Sequence, residues 1–254
     1  MELRDDTRPL TARSIVASTL LGVRPSRLPA RSLIASAALF GVAEGTVRTA
    51  LSRMVAAGEL VGDDGCYALA GPFLARQERQ DESRSGAIRP WSGDWELAVV
   101  ESERRSAGDR VALRAAMRAL RLAELREGVW LRPDNLDPDR LPEARAVVGE
   151  QCLTMTGWPA DAVAARLWDL DEWATTAREQ ERRLADVGPR LGADPDVLRP
   201  AFVALAATLR HLQADPLLPV DLLPPDWPGP ALRASHDQAD AAFKAVWTAR
   251  LRAP

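Results

Sequence analysis

Apolar residues recur at helical spacing through Val47, Ala50, Leu51, Met54 and Val55 in the segment GVAEGTVRTALSRMVAAGEL (41–60), which predicts an amphipathic helix over 44–57. The opposite face carries Gly45, Thr49, Ser52 and Ala56, all small or hydroxylated, with Arg48 and Arg53 on its two flanks. Upstream, TARSIVASTLLG (11–22) predicts a helix with Thr11 as N-cap. PARSLIASAALFG (29–41) predicts another, with Pro29 near its start and Gly41 at the turn after its end. Downstream, LVGDDGCYAL (60–69) holds two short apolar runs around Asp64-Gly65, a tight hairpin signal. Two helices, a Gly-containing turn, a third amphipathic helix and a hairpin predict a winged helix-turn-helix.

The rest of the chain changes period twice. RQERQDESRSGAIRP (76–90) is charged and aperiodic, a linker or a connecting helix. WSGDWELAVVE then alternates, with Trp95, Leu97 and Val99 against Glu96, Ala98 and Val100, so it predicts a strand. A strongly amphipathic helix is expected over 110–126, a strand over 128–133, a short helix after Asp137 or Pro138, and a last strand over 152–158. That order predicts a small ferredoxin-like sandwich. From about 159 the pattern is helical: DAVAARLWDL (161–170), 169–188 with Asp169 and Glu172 spaced for capping, 194–216, and 230–251. The expected fold class is α+β, mostly α. Its parts are a winged-helix domain over 1–75, a connecting segment over 76–90, a ferredoxin-like domain over 91–158 and a helical domain over 159–254.

A formal net charge of −3 does not favour a nucleic-acid binder until its distribution is read. Residues 1–58 carry eight arginines (4, 8, 13, 24, 27, 31, 48, 53) against four acidic residues (2, 5, 6, 44), which leaves +4 there and −7 over the remainder. A basic head on an acidic body suits a protein that holds DNA at one end. Small residues on the outer face of the 44–57 helix permit close approach to a major groove, hydroxyls reach base edges, and arginines hold phosphates. The competing reading of the same helix is an ordinary core helix with arginine on its outside.

Little else in the chain carries chemistry. Cys66 and Cys152 form neither a disulfide framework nor a metal motif. His211 and His236 lack metal-ligand spacing, and there is no G-x-S-x-G, P-loop or G-x-G-x-x-G. Asp171 and Glu172, beside Trp168 and Trp173, read as helix surface and core. No catalytic activity, metal or cofactor is expected. No apolar run approaches a membrane span and the first residues do not form a signal peptide, so a cytoplasmic protein is expected.

Four ordered segments carry a family resemblance: GVAEGTVRTALSRMVAAGEL; WSGDWELAVVE followed by GVWLRPDNL; ARLWDLDEW; and HLQADPLLPVDLLPPDWPG (211–229). Together they make the chain similar to the PaaX-type regulators, repressors of phenylacetic acid degradation, over nearly its whole length. The resemblance implies a dimeric transcription factor with a winged helix, a Cas2-like ferredoxin fold in the middle and a helical C-terminal domain. It implies double-stranded operator DNA as partner and release by an aryl-acyl-CoA effector, typically phenylacetyl-CoA. Carried over by position, Thr46, Arg48, Thr49, Ser52 and Arg53 face DNA. Two segments depart from the family pattern: the wing tip is acidic (GDDGCY, with Asp63 and Asp64), and the first middle strand ends VESERR rather than in an acidic-proline motif. Glu101 stands near the place of a metal-binding acid in a Cas2-like nuclease, but it lacks a partner carboxylate.

Eight tryptophans (91, 95, 130, 158, 168, 173, 227, 247) are expected mostly in cores, with a subset free to stack on an acyl or aromatic ring. Arg132, Arg166 and Arg178 are the nearest arginines in sequence for a CoA phosphate. The alternative function is a winged-helix protein-interaction module without specific DNA binding, which the acidic wing tip favours.

Overall fold

The computed structural model describes residues 11–101, 105–159 and 163–252, and the fold is α+β. It divides into two compact units. The first comprises residues up to Asp81 together with Asp186–Val203 and the residues from Gln238 onward; the second comprises Glu82–Ala185 and Ala204–Asp237.

The first unit opens with three helices: α1 (Ala12–Leu21), α2 (Ala30–Ala38) and α3 (Glu44–Ala56). Thr11 caps α1 by accepting a hydrogen bond from the Ser14 amide. Between α1 and α2, strand β1 (Arg27–Pro29) pairs antiparallel with β3 (Cys66–Leu69), which pairs in turn with β2 (Leu60–Asp63). The hairpin between β2 and β3 turns on two residues, Asp64 and Gly65, with φ of 47° and 69°. Two successive left-handed residues match the right-handed twist of the flanking strands, and Asp-Gly tolerates them. Ile15 and Leu20 of α1, Leu33 of α2, and Val47, Leu51 and Met54 of α3 form one core with Leu60, Leu69 and Phe73. Of the apolar arc expected on α3, Ala50 is half-buried and Val55 is 39% exposed.

The segment after the hairpin is helical: α4 runs Pro72–Ser85. Its buried Gln77 donates to the Leu21 carbonyl at 3.1 Å, satisfying an acceptor that the end of α1 leaves open. The later parts of this unit join through aromatic packing. Phe202 lies 5.0 Å from Phe40, and Phe243 lies 5.3 Å from Trp247, centroid to centroid.

The second unit is built on a four-stranded antiparallel sheet: β4 (Trp95–Val100), β5 (Ala123–Arg126), β6 (Val129–Pro133) and β7 (Cys152–Gly157), in the order β5-β6-β4-β7. Helices α5 (Ala107–Ala119) and α6 (Pro142–Gln151) cover one face, where Ala98, Met117, Trp130 and Val148 are buried together. On the other face Trp95 and Leu131 pack with Val163 and Ala164, the latter opening α7 (Ala164–Leu167). Ser106 and Asp109 form a reciprocal capping box at the start of α5, which holds the Asp109 carboxyl below the ordinary range through its Ser106 hydrogen bonds.

The helix expected over 110–126 is shorter in the fold. It ends at Ala119, Arg121 adopts φ of 60°, and the chain turns into β5, a fourth strand that helical periodicity conceals. The Arg121 guanidinium donates to the Gln213 and Asp215 carbonyls and to Ser83 Oγ, and these non-local bonds override the local helical pattern. The short helix expected after Asp137 begins later, at Pro142.

The remaining helices are α8 (Leu170–Val187), α9 (Leu198–Gln213) and α10 (Gly229–Arg252), with short 3-10 turns at Pro195–Val197 and Val220–Leu222. Asp169 accepts the Glu172 amide at 2.9 Å, as the spacing predicts. The helix expected over 161–170 lies partly outside the described residues, and its described part is α7. Residues 102–104 of VESERR also lie outside them.

Candidate nucleic-acid interface

Helix α3 is anchored by Val47, Leu51 and Met54, at most 1% exposed, which turns the opposite face outward. Thr46, Arg48, Thr49, Ser52 and Arg53 are all exposed there, as are Gly45 and Ala56. The five sequence-predicted residues therefore share one solvent-facing surface. Their side chains are not equivalent. Arg48 is gripped from one turn back: its Nη2 lies 2.7 Å from Glu44 Oε1, and its Nε donates to the same oxygen at 2.8 Å. Thr49 Oγ1 donates to the Gly45 carbonyl at 2.9 Å, and Ser52 Oγ donates to the Arg48 carbonyl at 3.1 Å. Each hydroxyl proton is thus spent on the helix backbone, leaving oxygen lone pairs outward.

Among the described residues, several amino-terminal arginines are countered by carboxylates from further along the chain. Arg13 pairs with Glu59, Arg24 with Asp81 and Arg27 with Asp63. The Arg13 guanidinium holds the Glu59 carboxyl below its ordinary range through a side-chain hydrogen bond. Among the described residues, Arg31 of α2 and Arg53 of α3 are the exposed arginines of 11–58 with no carboxylate partner. Helical periodicity alone does not single out Arg31. Arg53 sits in the last turn of α3, where the helix dipole favours a cation.

The hairpin tip carries the acidic pair. Asp63 accepts from Arg27 Nη2 at 3.2 Å on both its carboxylate and its carbonyl oxygen, so part of its charge is countered at the hairpin. Asp64 is exposed at the turn.

A family model described as PaaX-like protein matches residues 11–71, and one described as PaaX-like protein C-terminal domain matches residues 168–249. The chain belongs to the PaaX-like family. Among solved structures, this PaaX-like chain is similar to the uncharacterized protein Rv0674 from Mycobacterium tuberculosis. The two share 41% sequence identity, and the match has a TM-score of 0.73 and covers 95% of this chain and 99% of that one. Among curated proteins none is similar enough to match. The first PaaX-like segment takes in α1, α2, α3 and the hairpin, so the exposed face of α3 lies wholly inside it.

Two distant segments meet inside the second unit. Arg132 and Asn135 of GVWLRPDNL both donate to the Leu217 carbonyl of HLQADPLLP, at 3.3 and 2.9 Å. Leu217 takes φ of 51°, and Asp215 Oδ1 accepts its amide at 2.9 Å. Arg132 is completely buried and also donates to the carbonyls of Pro133 and Leu120 and to Asn135 Oδ1. It is a structural residue, so the expectation that it meets a CoA phosphate is corrected. Arg166 and Arg178 are exposed. Several tryptophans are engaged internally: Trp173 stacks on both His211 and Trp227 at 4.4 Å, and Trp95 stacks on Trp168 at 6.5 Å, whereas Trp158 is 76% exposed.

Among the described residues no His, Cys, Asp or Glu cluster could hold a metal ion, and no helix is long and apolar enough to cross a membrane.

Proposed function

We propose that this PaaX-like protein is a sequence-specific DNA-binding transcriptional regulator. In this reading α1, α2 and α3 with the β2–β3 hairpin form a winged helix-turn-helix, and α3 is the recognition helix. Thr46, Arg48, Thr49, Ser52 and Arg53 meet the major groove and its phosphate walls. The four-stranded sheet with α5 and α6 is the ferredoxin-like, Cas2-like middle domain; strand order β5-β6-β4-β7 with β-α-β-β-α-β connectivity supports that assignment. The protein acts in the cytoplasm as a homodimer, has no catalytic activity of its own, and is a repressor released by an aryl-acyl-CoA effector of the phenylacetyl-CoA class.

The observation that carries the reading is the outer face of α3: small, hydroxylated, flanked by arginine and turned to solvent. The test is a gel shift and footprint of the full chain on DNA upstream of its own gene. A dimer predicts two protected half-sites with centres about 10 bp apart or a multiple of that. An aryl-acyl-CoA thioester should then release the complex, and by linkage the operator must weaken thioester binding by the same factor. Binding abolished by an excess of unrelated DNA would defeat the reading. A second reading, a protein-docking winged helix, draws on exposed Asp64 at the hairpin tip. It predicts capture of a protein partner with no footprint.

A further inference from the structure

A second basic segment lies well outside the amino-terminal region. Residues 104–121 hold six arginines (104, 105, 110, 114, 118, 121) against one acid, Asp109, a surplus of five within 18 residues. Residues 1–58 have a surplus of four. Helix α5 carries Arg110, Arg114 and Arg118 of this set, and all three are exposed. Steps of four residues bring them into one row along the helix, about 6 Å apart on its axis and about 12 Å end to end. Leu113, Ala116 and Met117 are buried in the core on the other side, which fixes the row outward. The adjacent row, Ala107, Val111 and Ala115, is exposed and short, so it leaves the guanidinium groups unobstructed.

This row is poorly countered. Several other exposed arginines of the chain have a close carboxylate: Glu44 for Arg48, Asp134 for Arg89, Asp194 for Arg190. Arg114 reaches Glu124 only at 3.9 Å, and Glu124 Oε1 already accepts the Gly128 amide at 3.2 Å. Among the described residues, the Arg110 and Arg118 side chains have no hydrogen-bond or ion-pair partner. Asp109 is committed to the Ser106 capping box, and the Arg110 charge is the weakest influence on it. Like charges one turn apart repel and oppose helix formation, and a bound polyanion relieves that repulsion.

We infer that the Arg110–Arg114–Arg118 row is a second DNA contact, a sequence-independent clamp on the phosphate backbone of duplex DNA. The inference rests on the DNA-binding reading above, which brings that polyanion to the chain. A row of about 12 Å is too long for a single phosphate or carboxylate group, whereas duplex DNA offers a negative charge for every ~1.7 Å of its axis. The guanidinium fork matches phosphate oxygens. Phosphate contacts carry no base information, so the row adds affinity and salt dependence without changing the sequence selected.

The test is fluorescence anisotropy of the full chain on a mixed-sequence duplex across a salt series. One variant combines Arg110→Gln, Arg114→Gln and Arg118→Gln. A control combines Arg178→Gln, Arg182→Gln and Arg183→Gln on α8, removing the same charge from another exposed face. The row variant should bind at least about tenfold more weakly at about 50 mM salt, and its slope of log affinity against log salt should fall by about two to three. The control should keep the parent slope. Arg118→Gln alone should lower the slope by about one, which decides the matter if the triple variant does not fold. Sites selected from random DNA should be the same for parent and row variant. An unchanged slope in the row variant, or an equal fall in row variant and control, overturns the inference. If the row variant matches the parent while Arg48→Ala and Arg53→Ala lose affinity, the row fails and the regulator reading stands. The reverse pattern removes α3 from the interface and keeps the row. Binding of poly-glutamate that depends on the row, with no such dependence for DNA, gives the surface to an acidic protein and overturns the inference. A parent chain that binds no DNA overturns both.

Discussion

Glu44 holds Arg48 on the outer face of α3, with both Nη2 and Nε of the guanidinium directed at one carboxylate oxygen, at 2.7 and 2.8 Å. The pair is exposed, so it adds at most about 1 kcal/mol to stability. Its consequence for DNA is larger. In the proposed DNA-binding reading, Glu44 brings a negative charge to the face that would meet phosphate and occupies the cation beside it. Glu44→Gln should therefore tighten DNA binding by roughly threefold to tenfold at low salt, with the gain shrinking as salt rises. Arg48→Ala should weaken binding across most sequences and flatten the slope of log affinity against log salt by about one ion. Titrations by fluorescence anisotropy at several salt concentrations measure both. Unchanged affinity and slope in Arg48→Ala and in Arg53→Ala would remove this face from the interface.

The hydroxyls of Thr49 and Ser52 have given their protons to the Gly45 and Arg48 carbonyls. Toward solvent they can only accept, and the major-groove donors are the amino groups of adenine N6 and cytosine N4. Thr49→Val keeps the shape of the side chain and removes the acceptor. It should cost about 1 kcal/mol on sites that present an amino group there and leave other sites unaffected. Sites selected from random DNA by the two proteins should differ at one base position. Identical selected profiles would show that Thr49 does not read a base.

Local patterns made α3 and its hairpin legible in the sequence. The 3.6-residue period located Val47, Leu51 and Met54, and Asp64-Gly65 specified its turn by backbone conformation alone. The Glu44–Arg48 spacing of four was readable too, since i,i+4 partners meet on any helix. What stayed hidden depended on distant partners. Residues 120–126 look helical, yet Arg121 is pulled to carbonyls some ninety residues along the chain and β5 follows. Arg132 looks like a phosphate ligand in sequence because burial and acceptor supply cannot be read from composition.

His211 makes acid stability sensitive to a single ring. It stacks on Trp173 and, since a carbonyl can only accept, its Nε2 donates to the Trp173 carbonyl at 2.9 Å. Burial lowers the ring's proton affinity from the ordinary 6.5, opposed by that hydrogen bond and by the Asp215 charge. The unfolded chain therefore takes up the proton first as pH falls. The folded state is favoured above the ordinary histidine range, and stability is lost as pH drops below about 6.5 toward the lowered folded value. His211→Gln should flatten the fall in unfolding temperature between pH 7 and 5 relative to the parent, whatever its effect at pH 8. Parallel curves for the two proteins would assign the acid loss to other groups.

Gly45 separates docking from folding. It lies in the first turn of α3 on the exposed face, and an added Cβ there would meet no atom within 4 Å. Alanine replaces glycine in a helix with a gain of about 0.5–1 kcal/mol, so Gly45→Ala should raise the urea midpoint. The same methyl group would stand between α3 and the floor of the groove that it approaches closely if it is the proposed recognition helix. DNA affinity should fall by about tenfold, the equivalent of roughly 1.4 kcal/mol, while stability rises. Opposite signs in one variant cannot come from damage to the fold. A more stable protein that binds DNA as tightly as the parent would show that another surface makes the contact.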